Sequence, residues 1–192
     1  MLFTACASYP KKNNFQERDT SEKEISLPYF SSEAKDYVYK ANIEVYGNTL
    51  SGLFIVKKLG ESNHRIVFTT EMGKTIFDFS FLNNVFTVNY IIDDIDKSIL
   101  INILKRDFQV LIQEKFPVIA SYESEDGIIY ETVLGKRTYY YSKTKLEDKI
   151  VYTRNGKEKI RFLFSDVNGM ISNKISILHT AIKLEINLKT FN

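Results

Sequence analysis

The chain has 192 residues, of which 44% are hydrophobic and 26% are charged, a composition typical of a globular domain with its own core. Its 26 basic and 24 acidic residues nearly balance, so charge gives no support for a nucleic-acid partner. No stretch reaches the roughly 18 apolar residues that a membrane-spanning helix needs. A lone cysteine excludes an internal disulfide.

The N-terminus joins a short apolar stretch to that cysteine. Residues 1–5 resemble the last residues of the apolar run of a secretory signal. Thr4-Ala5-Cys6 resembles the bacterial lipobox, whose cysteine becomes the lipidated first residue of the mature protein. We therefore predict that residues 1–5 are the remnant of a lipoprotein signal peptide and that Cys6 is the lipidation site. The alternative is a chance cysteine at a chain end.

The segment that follows is polar and has no hydrophobic periodicity. Residues 6–30 are therefore predicted to be a flexible tether that carries the lipid anchor. Two acyl chains on Cys6 would anchor the protein stably, since each buried CH₂ contributes about 0.8 kcal/mol. The folded domain is predicted to cover residues 31–192.

From Asp36 to residue 91 the sequence alternates between apolar and polar residues, which predicts five consecutive antiparallel strands. The clearest alternation is TIFDFSF, which places Phe77, Phe79 and Phe81 on one face. Gly73 can adopt the positive φ that the preceding hairpin turn needs.

The period then changes. In DDIDKSILINILKRDFQVLIQEK, apolar residues recur at steps of three and four, which predicts an amphipathic helix of roughly twenty residues. Asp94 or Asp96 is expected to cap its start and Pro117 to end it. A calcium loop is the other interpretation of these aspartates, but the glycine and glutamate that such a loop requires are not at the right spacing, and we predict no metal site.

Further alternating stretches follow the helix, and Asn155-Gly156 is a strong hairpin signal. The total is about ten or eleven strands in one antiparallel sheet, with the helix inserted after the fifth strand. A sheet of that width must twist and curl. One helix cannot cover its concave side, so we expect a pocket for a hydrophobic ligand beside the helix.

This layout resembles the LolA/LolB-type lipoprotein carriers of the Gram-negative envelope, most closely the LolB branch. YKANIEVYGNTLSGLFIVKK is similar to its first two strands, and HRIVFTTEMGKTIFDFSFLNNVFTVNYIIDD to the block that leads into its helix. VYTRNGKEKIRFLFSD and ISILHTAIKLEINLKTF are similar to its late hairpin and last strands. The resemblance implies a mainly β (α+β) fold, a curved antiparallel half-barrel partly closed by helices. It also implies a non-enzymatic protein that binds acyl chains in a hydrophobic cavity and delivers lipoproteins to the outer membrane.

Further expectations follow from the same resemblance. The turn formed by Met72 and Gly73 corresponds to the family's membrane-contact turn, although Met72 could equally fill an ordinary hairpin. The protein is expected at the periplasmic face of the outer membrane, as a monomer without a cofactor, and a LolA-like periplasmic protein is the expected donor. In contrast to well-known members, the chain has no Trp.

No nucleophile elbow, phosphate loop or HExxH motif occurs, so an enzyme is not predicted, and His64 and His179 are expected to be structural. Two functions remain. The first is a membrane-tethered carrier of acyl chains with an open interior. The second is an accessory or scaffold lipoprotein with a filled interior that acts through protein partners. Residues predicted to line the carrier's cavity are Ile43, Ile66, Phe68, Phe77, Phe79, Phe81, Phe86, Val88, Leu104 and Phe108.

Overall fold

The computed structural model describes residues 8–83 and 85–191, so the predicted signal remnant and Cys6 lie outside the described residues. The helices are α1 (Tyr9–Lys12) and α2 (Ser98–Leu111). The strands before α2 are β1 (Gln16–Arg18), β2 (Glu24–Ser26), β3 (Asp36–Val45), β4 (Asn48–Gly60), β5 (Asn63–Thr69), β6 (Thr75–Leu82) and β7 (Val85–Ile91). The strands after it are β8 (Lys115–Ser124), β9 (Gly127–Leu134), β10 (Arg137–Lys143), β11 (Glu147–Arg154), β12 (Lys157–Asn168), β13 (Ile171–His179) and β14 (Leu184–Thr190).

All fourteen strands belong to one antiparallel sheet. A single antiparallel sheet was predicted, but with about ten or eleven strands. Its order is β1-β8-β9-β10-β11-β12-β13-β14-β3-β4-β5-β6-β7, and β2 pairs with β8 beside β1. The sheet is open, with β7 at one edge and the short strands β1 and β2 at the other. Three strands, β1, β2 and β8, have no counterpart in the prediction. Since β1 and β2 precede the predicted meander, α2 follows the seventh strand of the chain and not the fifth.

The segment predicted to be a flexible tether is largely folded onto the sheet. Strand β1 pairs with residues 121–123 of β8, and β2 pairs with residues 115–117. Tyr29 stacks on Phe164 at 4.9 Å between ring centroids, and its hydroxyl donates a hydrogen bond to Asp148. Phe30 packs against Tyr37 at 5.2 Å. The tether prediction is therefore wrong for residues 16–30, because a few well-spaced apolar side chains anchor a segment that is otherwise polar.

Helix α2 is shorter than predicted and is not capped as predicted. It has 14 residues, and a short 3₁₀ turn, Asp93–Ile95, precedes it. Lys97 occupies the N-cap position and no side chain caps the helix, so neither Asp94 nor Asp96 has the predicted role. The helix ends at Leu111, before Pro117, which lies within β8 opposite Glu24 of β2. A proline here costs few backbone hydrogen bonds, because its partner strand is short and no long ladder needs the N–H that proline lacks.

Strand β6 forms where the clearest alternation predicted a strand, and it is buried on both faces. Phe77, Phe79 and Phe81 point into the main core, as the alternation predicted. On the opposite face, Asn89 of β7 donates hydrogen bonds to Asp78 and Ser80, which lowers the cost of burying these polar side chains.

The Asn155-Gly156 hairpin is confirmed. Both residues have positive φ, 55° and 64°, which is the signature of the type I′ turn that suits twisted strands. This turn joins β11 to β12, and β12 carries Phe162 and Phe164 into the core.

Candidate functional site

The residues predicted to line a cavity lie in β3, β5, β6, β7 and α2, and all ten belong to one packed core. Eight of them are buried, while Phe86 and Val88 are partly buried. The eight buried residues are Ile43, Ile66, Phe68, Phe77, Phe79, Phe81, Leu104 and Phe108. The structure thus brings the predicted residues together, but as a core whose members contact one another.

Aromatic rings fill the space between α2 and the sheet. The ring centroid of Phe108 lies 5.2 Å from that of Phe54 and 5.7 Å from that of Phe77. Phe77 in turn stacks on Phe79 at 4.6 Å. These separations are those of rings in direct contact. An acyl chain could enter here only if the rings moved apart.

The space left next to these rings is very small. A cavity between Leu100 and Leu104 of α2 and Ile43 of β3 has a volume of about 10 Å³. That is about the volume one water molecule needs by the same kind of measure. The open concavity expected beside the helix is therefore closed at this point by the protein's own side chains.

An open cleft of about 400 Å³ lies at the C-terminal half of α2. This volume falls within the roughly 300–1,000 Å³ that is usual for ligand pockets. The cleft is lined by Lys58, Glu61, Ser62, His64, Phe81, Phe86, Lys105, Gln109, Ile112, Gln113, Glu114, Lys115 and Leu134. Only Phe81 and Phe86 of the predicted lining contribute to it, so sequence reasoning missed most of this site.

The polar side of the cleft is a set of charged side chains with close partners. Lys58 Nζ lies 2.6 Å from Glu114 Oε1, and the Lys58 side chain is only 11% exposed. Lys115 Nζ pairs with Glu24 at 3.3 Å. Lys105 Nζ lies 5.3 Å from the ring centroid of Phe86 and makes a cation–π contact with it. Mixed charge over an aromatic floor suits recognition of a polar surface better than storage of a purely apolar ligand.

His64 forms the buried back of the cleft. Its Nε2 lies 3.2 Å from the carbonyl oxygen of Phe30, so Nε2–H is the donor and Nδ1 is left as an acceptor. Nδ1 is buried and has no hydrogen-bond partner in the part of the chain that the structure describes. Burial lowers the pKa of His64, against opposing effects of the Phe30 carbonyl and Glu114. A neutral ring is therefore favoured.

A buried hydrogen bond between a carboxyl group and an imidazole attaches α2 to β13. His179 Nε2 lies 2.8 Å from Asp107 Oδ2, and the Asp107 side chain is almost fully buried. Burial raises the pKa of Asp107, while the contact with His179 acts to lower it. Within residues 8–83 and 85–191, no serine or threonine hydroxyl is hydrogen-bonded to His179. The pair is therefore best understood as a polar link between helix and sheet, and no signal in the sequence points to Asp107.

The predicted membrane-contact turn lies between β5 and β6. Met72 is 97% exposed at its tip, and Gly73 has a φ of 84°, as a tight turn requires. Exposure makes the Met72 side chain available to another surface. Contact of this turn with a membrane stays a prediction.

Comparison of the chain with protein-family models, with curated proteins and with solved structures finds no match. The resemblance to the LolA/LolB carriers therefore stays a prediction from the sequence. Neither described helix is both long and apolar enough to cross a membrane. Across the described ranges, no three His, Cys, Asp or Glu side chains are grouped as metal ligands would be.

Proposed function

We propose that this protein is a non-enzymatic accessory lipoprotein of the bacterial envelope, with a LolB-like half-barrel and a filled interior, that acts through a protein partner. In this proposal Cys6 anchors it at the periplasmic face of the outer membrane. The observation that carries the choice between the two predicted functions is the packing of Phe54, Phe77, Phe79 and Phe108 between helix and sheet. A carrier needs space for an acyl chain, and the cavity between Leu100, Leu104 and Ile43 holds only about 10 Å³.

The cleft beside α2 is the surface we propose for the partner. It presents both signs of charge, from Lys58, Lys105 and Lys115 and from Glu61 and Glu114. Complementary charges give an interface its specificity and its register more than its raw affinity. The aromatic floor at Phe86 supplies a place for an apolar anchor from the partner.

The proposed anchor and the proposed lack of bound acyl chains can be tested on one preparation. Mass spectrometry of the N-terminal peptide from native membranes should show an acylated Cys6, and an unmodified thiol would contradict the anchor. Native mass spectrometry of the gently purified protein, offered a lipopeptide, should show no lipopeptide bound non-covalently. Stoichiometric retention of the lipopeptide would favour the carrier instead.

The partner-binding cleft is tested by site-specific photo-crosslinking in native membranes. A photoreactive side chain at Gln109, an exposed helix position that lines the cleft, should give one discrete crosslinked protein. The matched control places the same group at Lys136, an exposed turn residue outside the cleft. Equal products from both positions, or none from Gln109, would contradict a partner at this cleft.

The carrier function remains a second candidate because of one specific observation. Phe81 and Phe86, both predicted to line a cavity, border an opening of about 400 Å³. An acyl chain held there would lie at the side of the helix and outside the packed interior. If the lipopeptide is retained in native mass spectrometry, Phe86→Ser should abolish the retention, whereas Val133→Ser, outside the cleft, should not.

A further inference from the structure

The open sheet has two edges, and they differ in how they are protected. At one edge the short strands β1 and β2 cover β8. Strand β1 is Gln16-Glu17-Arg18, which is exposed throughout, and Pro117 lies in β8 at its pairing with β2. Short strands, charged side chains and proline are means by which proteins keep a sheet edge from pairing with another chain.

Strand β7 forms the other edge and lacks these means of protection. Its sequence, VFTVNYI, contains no proline and no charged residue, and Val85 and Tyr90 are 61% and 47% exposed. Within residues 8–83 and 85–191, β6 is its only strand partner, and no main-chain hydrogen bond joins its outer edge to another segment. A row of N–H and C=O groups is therefore left open, and another extended main chain is what such a row can bind.

The pairing of β7 with β6 shows which main-chain groups face outward. Two residues separate Leu82 from Val85, and these are partners in register, so they form the hydrogen-bonded pair that closes the hairpin. Hydrogen-bonded and non-hydrogen-bonded pairs alternate along an antiparallel ladder. Thr87 is therefore bonded to β6, whereas the N–H and C=O groups of Phe86 and Val88 point to the open edge.

The regular part of this edge is short and is held in place by side chains. A bulge at Asn89 interrupts the register, so the regular part is Val85–Val88, about 13 Å long. Asn89 donates hydrogen bonds to Asp78 and Ser80 of β6, which fix the bulge. Two copies of this chain paired through so short an edge would bury far less than the roughly 800 Å² per partner of a stable dimer. A segment of another protein can add contacts in the adjoining cleft.

The cleft lies on the face of β7 that such a segment would share. Phe86 directs its main-chain groups outward and lines the cleft with its side chain. In a strand added to β7, the side chain opposite Phe86 lies on the same face, about 5.5 Å away, and so enters the cleft. Lys105 brings positive charge to this place, since its Nζ lies 5.3 Å from the centroid of the Phe86 ring. An apolar residue and an acidic residue two positions apart would both find a partner here.

We propose that the protein partner docks by adding an extended strand to β7, with an apolar residue over Phe86 and, two positions along, a carboxylate at Lys105. This inference rests on the proposed function, because the segment belongs to the partner that uses the cleft. Main-chain hydrogen bonds give such a complex its affinity, and the side chains in the cleft give it specificity.

Photo-crosslinking in native membranes tests the added strand, with the photoreactive side chain at Gln109 as the reporter. An edge strand tolerates proline where the N–H faces outward. Val88→Pro removes such an N–H, and it should lower the yield of the crosslinked protein by about tenfold, because a carbonyl of the partner loses its hydrogen bond. The matched control Val88→Ala shortens the side chain but keeps the N–H, and it should leave the yield unchanged. Equal yields from these two variants would overturn the proposal.

A second pair of variants tests the carboxylate. Lys105→Glu should lower the yield from Gln109 by about fivefold or more, because it repels an acidic residue. Lys40→Glu should leave the yield unchanged, since Lys40 makes the same kind of contact with Phe191, at 5.1 Å, but lies in β3. Equal yields would contradict the proposed carboxylate, and a product made of two copies of this chain would overturn the proposal. No product from Gln109 in the parent protein would contradict the proposed function and, with it, this inference.

Amide hydrogen exchange of the purified full chain tests the open edge without a substitution. The amides of Phe86 and Val88 should exchange at least about tenfold faster than the amide of Thr87, which is bonded to β6. Equal protection of the three amides would show that the outer edge is not open and would overturn the proposal even if Val88→Pro failed to fold.

Discussion

The two sides of helix α2 face very different surroundings. Leu100, Leu104 and Phe108 are buried against aromatic rings of the sheet. Lys105 and Gln109, which directly follow Leu104 and Phe108 in the sequence, border the open cleft. The phenylalanines on one side of the helix therefore stabilise the fold, whereas the other side borders a charged opening. A sequence rich in phenylalanine does not by itself predict a cavity, because the same rings can close the space that they were expected to line.

Truncation of the buried side of α2 should have the largest effect. Phe108→Ala removes a ring that contacts Phe54 and Phe77, and the free energy of unfolding should fall by about 3–5 kcal/mol. Urea denaturation followed by circular dichroism measures the change. The neighbouring variant Gln109→Ala, on the cleft side, should change it by about 0.5 kcal/mol or less. Equal losses for the two variants would contradict the contrast between the sides.

The buried contact between Asp107 of α2 and His179 of β13 should come next. His179→Leu leaves the carboxyl group of Asp107 buried without its hydrogen-bond partner, so the free energy of unfolding should fall by about 3 kcal/mol. Replacing both residues, as Asp107→Leu/His179→Leu, should restore most of that loss, because no buried polar group is left without its partner. A double variant that is less stable than His179→Leu alone would contradict this explanation of the loss.

The charges of the cleft should matter less than either. Lys58→Met leaves Glu114 without the ammonium group at 2.6 Å, and a loss of about 1–2 kcal/mol in unfolding free energy is expected. Lys57→Met is the matched control, since Lys57 pairs with Asp36 at 2.8 Å at a much more exposed position. There the loss should be about 0.5 kcal/mol or less. Similar losses would mean that the cleft pair is as solvated as the surface pair.

The smallest expected effect is a pH dependence from His64. Burial lowers the pKa of His64, so the folded protein binds a proton less readily than the unfolded chain does. This stabilisation by the neutral ring is fully present above pH 6.5, the ordinary pKa of histidine in an unfolded chain. It is lost as the pH falls through the lower pKa of His64 in the folded state. Thermal unfolding at a series of pH values should show a steeper acid loss for the native protein than for His64→Gln. Parallel curves would contradict this assignment.

The sequence predicts those parts of the fold that depend on local periodicity. The alternation through Phe77, Phe79 and Phe81 marks β6, and steps of three and four mark the buried side of α2, because a regular element repeats its burial pattern along the chain. Strands β1 and β2 have only three residues each, too few to show a period. In β8, Pro117 and a bulge near Val118 break the pattern.

The cleft and the Asp107–His179 contact could not be predicted for a different reason. Asp107 and His179 are 72 residues apart, and only the packing of α2 on the sheet brings them together. Lys58 lies in a Lys-Lys pair that looks solvated, and it becomes buried because Glu114 approaches it from the end of α2. Whether apolar residues line an open cavity or fill it also depends on how closely helix and sheet approach, which no spacing in the sequence encodes.

The central claim is that the protein's own side chains fill the interior between α2 and the sheet. Its most direct test is methyl NMR of Leu100 and Leu104, recorded as a spin-labelled fatty acid is added. Both leucines border the small cavity of about 10 Å³. The filled interior predicts that their methyl signals keep their intensity at one equivalent of the fatty acid. Selective broadening of both signals at that ratio would show a chain bound inside and would contradict the account.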